Sequence, residues 1–342
     1  MILSGNEAVV HGALKAGAKY FAGYPITPSS EIMHEWVQQL RKKNDDFVFL
    51  QTEDEISAIH SIIGGALAGK KSFTTTSGPG FSLMQEGIGL AFAYKLPMVI
   101  VNVQRQGPST GMPTLFSQGD ILQTQYGTHG DHQAITFYPN SVQECYDLTV
   151  QAFNAACASK SPIIVLSDAF LGHMYENVNL DYKDEILDYN FEPVGTGTRH
   201  FTGLTQKKGM PDTDNPETCK EWLNELLEPI DKISKNYELY EYEENLNSDT
   251  LIISFGTLSR VVAQWKNEFA LFRPIRLFPV LDEVLKNITA KYKKIIIVEA
   301  NKGQYKFVLE ACLKRDINVV SNIGGKIDVQ ELYSQIKKIS ND

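Results

Sequence analysis

A group of three carboxylates is the first feature of this sequence that could do chemistry. Glu53, Asp54 and Glu55 directly precede an apolar stretch that is rich in glycine and alanine. Carboxylates at a helix start are favoured by the helix dipole, which is a purely structural explanation. However, a helix of small residues packs closely, so we expect at least one of these carboxylates in a water-poor cleft. Burial raises the pKa of a carboxyl group, which suits a group that holds and exchanges a proton.

Three further segments combine glycine, hydroxyl or arginine side chains, and they comprise residues 23–30, 77–80 and 104–114. We expect Thr27 to cap a helix that has Pro28 at its first position. The glycines after Ser77 would let a ligand approach the backbone, or would simply form a turn. Arg105 suits bidentate capture of a carboxylate. Taken alone, each segment also has a structural explanation as a capped helix, a turn or a surface arginine.

The elements that position these residues alternate between short β-rich runs and helical stretches. The predicted strands cover residues 19–24, 47–51, 72–76, 98–103 and 162–167, and predicted helices between them include residues 55–69 and 81–94. This alternation predicts an α/β fold, with a mostly parallel sheet and helices on both faces. Ligands of such sheets bind outside the carboxyl ends of the strands, where the three segments and the carboxylates are found.

The composition predicts two domains joined by a connecting region. Residues 1–180 form the first predicted domain, and residues 181–249 the connecting region, with a polar helix over about 219–246. A second α/β unit is predicted over residues 250–342. Its strands are expected near residues 251–256, 275–278, 295–299 and 317–320, followed by an amphipathic helix over 329–339.

The bulk composition excludes several classes of protein. The chain has 342 residues and a formal net charge of -9, which argues against a partner bound through nucleic-acid phosphates. No apolar run approaches the roughly 20 residues that cross a bilayer, and no signal peptide is recognised. Its four cysteines, Cys145, Cys157, Cys219 and Cys312, show no paired spacing. We therefore expect a cytoplasmic protein without a disulfide, zinc site or iron–sulfur cluster.

A possible metal site at His129-Gly130-Asp131-His132 is the one exception to this pattern. Two histidines and an aspartate on a glycine-containing turn are more often structural or substrate-facing, so we expect no metal on this chain. Any redox chemistry would then need another chain through which the electrons leave.

The segments together resemble the alpha subunits of 2-oxoacid:ferredoxin oxidoreductases over nearly the whole chain. The matching segments occur in the family's order, at residues 23–30, 53–57, 77–80, 105–114, 118–120, 129–131, 172–175 and 299–304. The run 105–114 is the most specific, and it is most similar to the 2-oxoglutarate branch. Gln106 departs from the pattern, because relatives usually carry a small residue there, and this concerns substrate selectivity rather than the reaction.

The resemblance implies a thiamine diphosphate fold with a pyrimidine-type domain, followed by a Rossmann-type domain like the C-terminal domain of transketolase. It assigns Glu55 to the glutamate beside the aminopyrimidine N1′ of the cofactor, with Glu53 as the second choice. Thr27 and Arg105 match positions that hold the substrate carboxylate, and Ser109 and Thr110 are placed at its distal end. The remaining cofactor contacts implied are Pro25, Ile26, Ser77, Gly78 and Pro79.

The resemblance also implies partners. The chain lacks the Gly-Asp-Gly motif that holds diphosphate and Mg²⁺, and it lacks the cysteines for a [4Fe–4S] cluster. A beta subunit would supply both, with gamma and delta chains as further partners and ferredoxin as electron acceptor. The implied reaction is the reversible, coenzyme A-dependent oxidation of 2-oxoglutarate to succinyl-CoA. The alternatives are the same chemistry on branched-chain 2-oxoacids or pyruvate, and a non-catalytic scaffolding homologue.

Overall fold

A computed structural model describes residues 1–42, 47–189, 191–196 and 202–341. Its strands are β1 (Ile2–Ser4), β2 (Tyr20–Gly23), β3 (Val48–Gln51), β4 (Ser72–Thr76), β5 (Met98–Gln104), β6 (Thr136–Phe137), β7 (Pro162–Asp168), β8 (Tyr175–Asn177), β9 (Gln206–Lys207), β10 (Met210–Pro211), β11 (Tyr240–Glu243), β12 (Thr250–Ser254), β13 (Ala270–Pro274), β14 (Arg276–Phe278), β15 (Lys294–Glu299) and β16 (Asn318–Ser321). Its helices are α1 (Gly5–Lys15), α2 (Ser30–Lys42), α3 (Glu55–Leu67), α4 (Gly78–Leu83), α5 (Gln85–Ala93), α6 (Ile121–Tyr126), α7 (Val142–Ser159), α8 (Ala169–His173), α9 (Pro216–Ser234), α10 (Gly256–Val262), α11 (Asp282–Thr289), α12 (Gln304–Leu313) and α13 (Val329–Asn341).

The first sheet has seven strands in the order β14-β6-β7-β5-β4-β2-β3. Six of them run parallel, and β14 pairs antiparallel with β6 at one edge. Buried side chains from α1, α2 and α7 pack on one face, and those from α3 and α5 pack on the other. The predicted parallel α/β sheet with helices on both faces is therefore confirmed. The carboxyl ends of β2, β3, β4 and β5 meet at one edge.

The second sheet has five strands in the order β11-β13-β12-β15-β16. Four strands are parallel and β11 is an antiparallel edge strand. One face packs on α10 and α13. The other face shares a single hydrophobic cluster with the α3 and α5 side of the first sheet, so the two units are joined by a common core.

The predicted strand near residues 275–278 lies in the first sheet rather than in the second unit. The chain is extended from β13 into β14, and it changes sheets at Ile275, whose carbonyl accepts a hydrogen bond of 2.8 Å from Tyr138 N. Since the two strands are one residue apart, a single β-rich run serves both sheets.

The predicted polar helix over 219–246 was wrong at its C-terminal end. α9 ends at Ser234, and β11 follows at Tyr240–Glu243. The alternating Tyr-Glu-Tyr-Glu sequence of this segment has the period of two that suits an edge strand. The predicted cap of α2 was also wrong, because this helix begins at Ser30 and Thr27 lies in the preceding turn, where the Thr27–Pro28 peptide is cis.

Candidate functional site

A cavity of about 610 Å³ lies between the carboxyl edge of the first sheet and the second unit. Its walls come from the start of α4, the segment after β5, the start of α6 and the turn after β15. The lining residues used below are Gly78, Pro79, Arg105, Gln106, Ser109, Asp120, Asn301, Lys302 and Gln304. The site is thus built where ligands of parallel α/β sheets bind.

Glu55 is a buried carboxylate at the first position of α3, with only 5% of its surface exposed. Asp54 caps this helix, because its side chain accepts a hydrogen bond of 2.7 Å from Ser57 N. That bond lowers the pKa of Asp54, whereas burial raises the pKa of Glu55, helped by the charge of Asp54 and opposed by that of Arg105. Glu53 is exposed. Of the three carboxylates, Glu55 alone combines burial with a raised pKa, which suits proton transfer.

Gly80 makes room for this carboxylate. A Cβ atom at position 80 would collide with Oε1 of Glu55 and with Oγ1 of Thr76. The backbone of α4 therefore lies directly against the Glu55 side chain. Residues 77–80 were predicted to form a turn or a ligand contact. The structure shows why position 80 requires glycine: a side chain there would displace Glu55 or Thr76.

Arg105 is buried at the end of β5, and its Nη1 donates a hydrogen bond of 2.7 Å to the carbonyl oxygen of Thr27. Within the described part of the chain, Nε and Nη2 have no hydrogen-bond partner. These two groups form the side of the guanidinium that binds a carboxylate in bidentate fashion. Burial lowers the pKa of Arg105, and the charges of Asp120 and Glu55 oppose that shift.

Four buried polar atoms at the ends of β4 and β5 have no hydrogen-bond partner among the described residues. They are Thr76 Oγ1, Ser77 Oγ, Asn102 Oδ1 and Arg105 Nε. Buried polar atoms are normally paired, so such a cluster indicates a place where a ligand or a partner chain supplies the missing groups. A polar cofactor that enters beside Ser77 and Gly80 fits this pattern.

The segment after β5 folds back on itself. Gln106 N donates to Leu115 O at 3.0 Å, Met112 N donates to Gln106 O at 2.8 Å, and Ser109 at the tip has a φ of 55°. Ser109 lines the cavity, whereas Thr110 is exposed and does not. The side-chain amide of Gln106 donates a hydrogen bond of 2.7 Å to Gly107 O. This bond holds the Gln106 side chain against the backbone that lines the cavity.

Gln118 fixes the second unit against this edge, and the sequence indicated no such role. Its side chain donates to Phe255 O at 2.8 Å and accepts from Ala300 N at 2.8 Å. Its backbone donates to Ala300 O at 3.1 Å and accepts from Asn301 Nδ2 at 2.8 Å. Fully buried, it holds the turn after β15 over the cavity.

Asp120 is a second carboxylate at the cavity, also without a predicted role. Its Oδ2 accepts a hydrogen bond of 2.9 Å from Asn102 Nδ2. Burial raises the pKa of Asp120, opposed by that hydrogen bond and by the charge of Arg105. Only its place two residues after Gln118, in a segment already matched to the family, could have drawn attention to it.

The predicted site residues fall into three groups. Gly78, Pro79, Arg105 and Ser109 line the cavity. Glu55 and Ser77 are buried at the same edge, next to Gly80 and at the end of β4. Pro25, Ile26, Thr27 and Thr110 are not among the lining residues, and of these only Thr27 is tied to the site, through Arg105.

The described residues contain no group of three or more His, Cys, Asp and Glu side chains that could hold a metal ion. His132 is largely buried, which lowers its pKa to about 4 and keeps it neutral near pH 7. Within the same ranges, no helix is long and apolar enough to cross a membrane.

Comparison with known proteins places this site in a family. Residues 11–241 match the family described as pyruvate flavodoxin/ferredoxin oxidoreductase, thiamine diphosphate-binding. The 2-oxoglutarate synthase subunit KorA of Methanocaldococcus jannaschii is 39% identical over 95% of this chain and 95% of its own.

Two solved structures resemble the fold. A 2-oxoglutarate:ferredoxin oxidoreductase from Magnetococcus marinus, with 2-oxoglutarate, coenzyme A and succinyl-CoA bound, has a TM-score of 0.88 and 29% identity. The match covers 99% of this chain and 65% of that longer one. A split-gene transketolase has a TM-score of 0.60 at 11% identity over 98% of this chain, which supports the predicted fold alone. This chain belongs to the pyruvate flavodoxin/ferredoxin oxidoreductase family and contains its thiamine diphosphate-binding domain.

Proposed function

We propose that this chain is the alpha subunit of a 2-oxoglutarate:ferredoxin oxidoreductase, which converts 2-oxoglutarate and coenzyme A to succinyl-CoA and CO₂ and passes two electrons to ferredoxin. The observation that carries the proposal is the buried Glu55 carboxylate. It lies at the same sheet edge as the guanidinium of Arg105, of which only Nη1 has a hydrogen-bond partner among the described residues. The substrate follows the similarity to the 2-oxoglutarate synthase subunit over nearly the full chain.

Thiamine diphosphate fits this edge. Gly80 leaves the space next to Glu55 that a Cβ would fill, and Thr76 Oγ1 and Ser77 Oγ are buried and unpaired among the described residues. When bound, the cofactor supplies the electron sink that decarboxylation of a 2-oxoacid needs. Its aminopyrimidine side would be held by the residues that the resemblance names: Pro25, Ile26, Ser77, Gly78 and Pro79.

Each protein group then has a separate task. Glu55, with its pKa raised by burial, would hold a proton on its carboxyl group next to the aminopyrimidine ring of the cofactor. Arg105 binds the 1-carboxylate through Nε and Nη2, while Thr27 fixes the guanidinium through its carbonyl oxygen. Ser109, at the cavity wall, contacts the distal carboxylate, with Thr110 beside it.

A partner chain completes the site in this proposal. Four large apolar side chains on the elements that surround the site remain exposed: Tyr24 after β2, Leu50 on β3, Ile56 on α3 and Leu83 on α4. Exposed apolar groups that cluster around a site are typical of a protein interface. We place the diphosphate and Mg²⁺ site and a [4Fe–4S] cluster on a beta subunit at this surface. Coenzyme A is the cosubstrate of the complex and ferredoxin its electron acceptor. We place the complex in the cytoplasm.

The test is an assay of the chain with its partner. With 2-oxoglutarate, the complex should reduce ferredoxin and form an acyl-CoA. With 2-oxoisovalerate or pyruvate, the rate of both should be at least tenfold lower. The chain alone should be inactive. Dominant turnover of either competing acid would replace the proposed substrate, and absence of turnover with all three would favour the scaffolding alternative.

A further inference from the structure

Asp120 is held in place by two buried amides on the strand that carries Arg105. Asn102 and Gln104 are two residues apart on β5, so their side chains point to the same face of the sheet. Asn102 Nδ2 donates to Asp120 Oδ2, and Asp120 N donates to Gln104 Oε1, both at 2.9 Å. Gln104 Nε2 is fixed in turn by Ser167 O at 3.2 Å. The position of Asp120 relative to Arg105 is therefore set through a single rigid strand.

The carboxylate of Asp120 still has a free oxygen. Among the described residues, Oδ1 accepts no hydrogen bond, and Asp120 forms no direct ion pair with Arg105, whose bond goes to Thr27. Yet the two charges act on each other: Asp120 is the first of the charges that oppose the lowered pKa of Arg105, and Arg105 opposes the raised pKa of Asp120. Both residues line the same cavity, and its volume of about 610 Å³ has room for another group beside them.

The other titratable groups that face Asp120 are few. Glu55 acts electrostatically on Arg105, and Lys302, exposed on the turn after β15, lines the same cavity. Tyr138 lies within electrostatic range, but burial raises its pKa so that it stays neutral near pH 7. Arg105 is thus the principal positive charge near Asp120. An anion bound to Arg105 would compete with the Asp120 carboxylate for this charge.

We propose that Asp120 couples substrate binding to a proton. With no substrate bound, its carboxylate balances the charge of Arg105. When the carboxylate of the 2-oxoacid pairs with Arg105, Asp120 takes up one proton from the solvent. The inference rests on the proposed function only in requiring a substrate with a carboxylate at this position.

The physical reason is that two carboxylates beside one guanidinium in a partly buried site repel each other, which raises the pKa of one of them. Burial already disfavours the charged form of Asp120. The charge balance is simple: one bound substrate anion is matched by one proton gained, and no bond other than the O–H bond on Asp120 is formed. The KM for the 2-oxoacid should therefore rise with pH above the pKa of Asp120, by up to tenfold per pH unit.

The test is the pH dependence of KM in the assembled enzyme, using whichever of the three 2-oxoacids it oxidises. The wild type should show a KM that rises with pH wherever Asp120 is ionised in the substrate-free enzyme. In Asp120→Asn, which keeps an acceptor for Asn102, KM should no longer rise, while kcat keeps the pH dependence that Glu55 sets. The matched control is Asp316→Asn, an exposed position away from the cavity, which should retain the wild-type slope.

A wild-type KM that does not change with pH overturns the proposal, as does a full slope in Asp120→Asn. If this variant does not assemble, Asp120→Glu decides, because a moved carboxylate should shift the midpoint of the slope, and an unshifted midpoint would exclude Asp120 as its source. If none of the three acids is oxidised, the proposed function fails, but the proton count remains measurable. Calorimetry of pyruvate binding in two buffers of different ionisation enthalpy should then give one proton for the wild type and none for Asp120→Asn, and zero for the wild type would overturn the inference.

Discussion

Arg105 Nη1 donates a hydrogen bond of 2.7 Å to the carbonyl oxygen of Thr27, which joins the ends of β5 and β2 across the intervening strand β4. The guanidinium is thereby oriented with Nε and Nη2 available on its other side. The bond also explains how Thr27, whose side chain is exposed outside the cavity, contributes to the site. Its backbone rather than its hydroxyl makes the contact.

The first prediction concerns the shape of this guanidinium. Arg105→Lys keeps a positive charge but loses the planar pair of donors. We expect KM for the 2-oxoacid to increase by about ten- to a hundredfold, because one charge-assisted hydrogen bond contributes about 1.5–3 kcal/mol. Steady-state kinetics of the assembled enzyme measure this. The matched control is Arg260→Lys, which changes a partly exposed arginine paired with Glu176 at 2.8 Å and should leave KM unchanged. An equal KM in both variants would exclude Arg105 as the carboxylate ligand.

The second prediction concerns the contact between α4 and Glu55. Gly80→Ala places a methyl group against Glu55 and Thr76, so the carboxylate has to move. We expect activity to fall by at least about tenfold, since proton transfer depends on position. The control is Gly64→Ala on α3, where a Cβ has no neighbour within 4 Å. That variant should gain about 0.8–1 kcal/mol of stability from helix propensity and keep its activity. Full activity in Gly80→Ala would show that the Glu55 position is not critical.

The third prediction concerns the four hydrogen bonds of Gln118. Gln118→Leu leaves Ala300 N and Phe255 O without their side-chain partner in a buried place. Each unpaired group costs about 1–3 kcal/mol. We therefore expect a lower midpoint of thermal unfolding together with a higher KM, because the turn after β15 loses its anchor over the cavity. The control is Gln335→Leu on α13, whose amide contacts Glu331 near the surface. A similar loss in both variants would contradict the role of Gln118.

The fourth prediction is a pH dependence of stability. The pKa of Glu55 is raised in the folded chain. Ionisation of this side chain therefore opposes folding at a pH above the ordinary carboxyl pKa, where the side chain is charged in the unfolded chain. Glu55→Gln removes the charge, and we expect its unfolding midpoint to exceed that of the wild type near pH 8. The difference should disappear as the pH falls below the ordinary carboxyl pKa, where the wild-type side chain is neutral in both states. Thermal unfolding at both pH values provides the measurement, and a difference that grows toward low pH would contradict the assigned direction.

Much of the site could be predicted because its residues follow strands that have clear patterns. The runs that became β2, β3, β4 and β5 are apolar or β-branched and are bounded by glycine or polar residues. Their carboxyl ends carry Thr27, Glu55, Ser77 and Arg105 in chain order, and parallel strands bring such ends together.

What could not be predicted depends on contacts between distant parts of the chain. β14 was predicted as a strand, but not its pairing with β6 about 140 positions away, and β6 has only two residues and so no period to detect. The same holds for Gln118, whose partners Phe255 and Ala300 lie far along the sequence. The role of Asp120 depends on Asn102 and Gln104, which in the sequence are only polar residues within an apolar strand.

The central claim is that the Glu55 carboxylate is the proton partner of thiamine diphosphate in the assembled site. The most direct measurement is the rate at which the C2 proton of the bound cofactor exchanges with deuterium, followed by quenched NMR in the assembled enzyme. For Glu55→Gln we predict a rate at least about a hundredfold below wild type, within the range for loss of a general base. The matched variant Glu53→Gln, which changes an exposed carboxylate two residues away, should exchange at the wild-type rate. A wild-type rate in Glu55→Gln, or an equal loss in Glu53→Gln, would contradict the account.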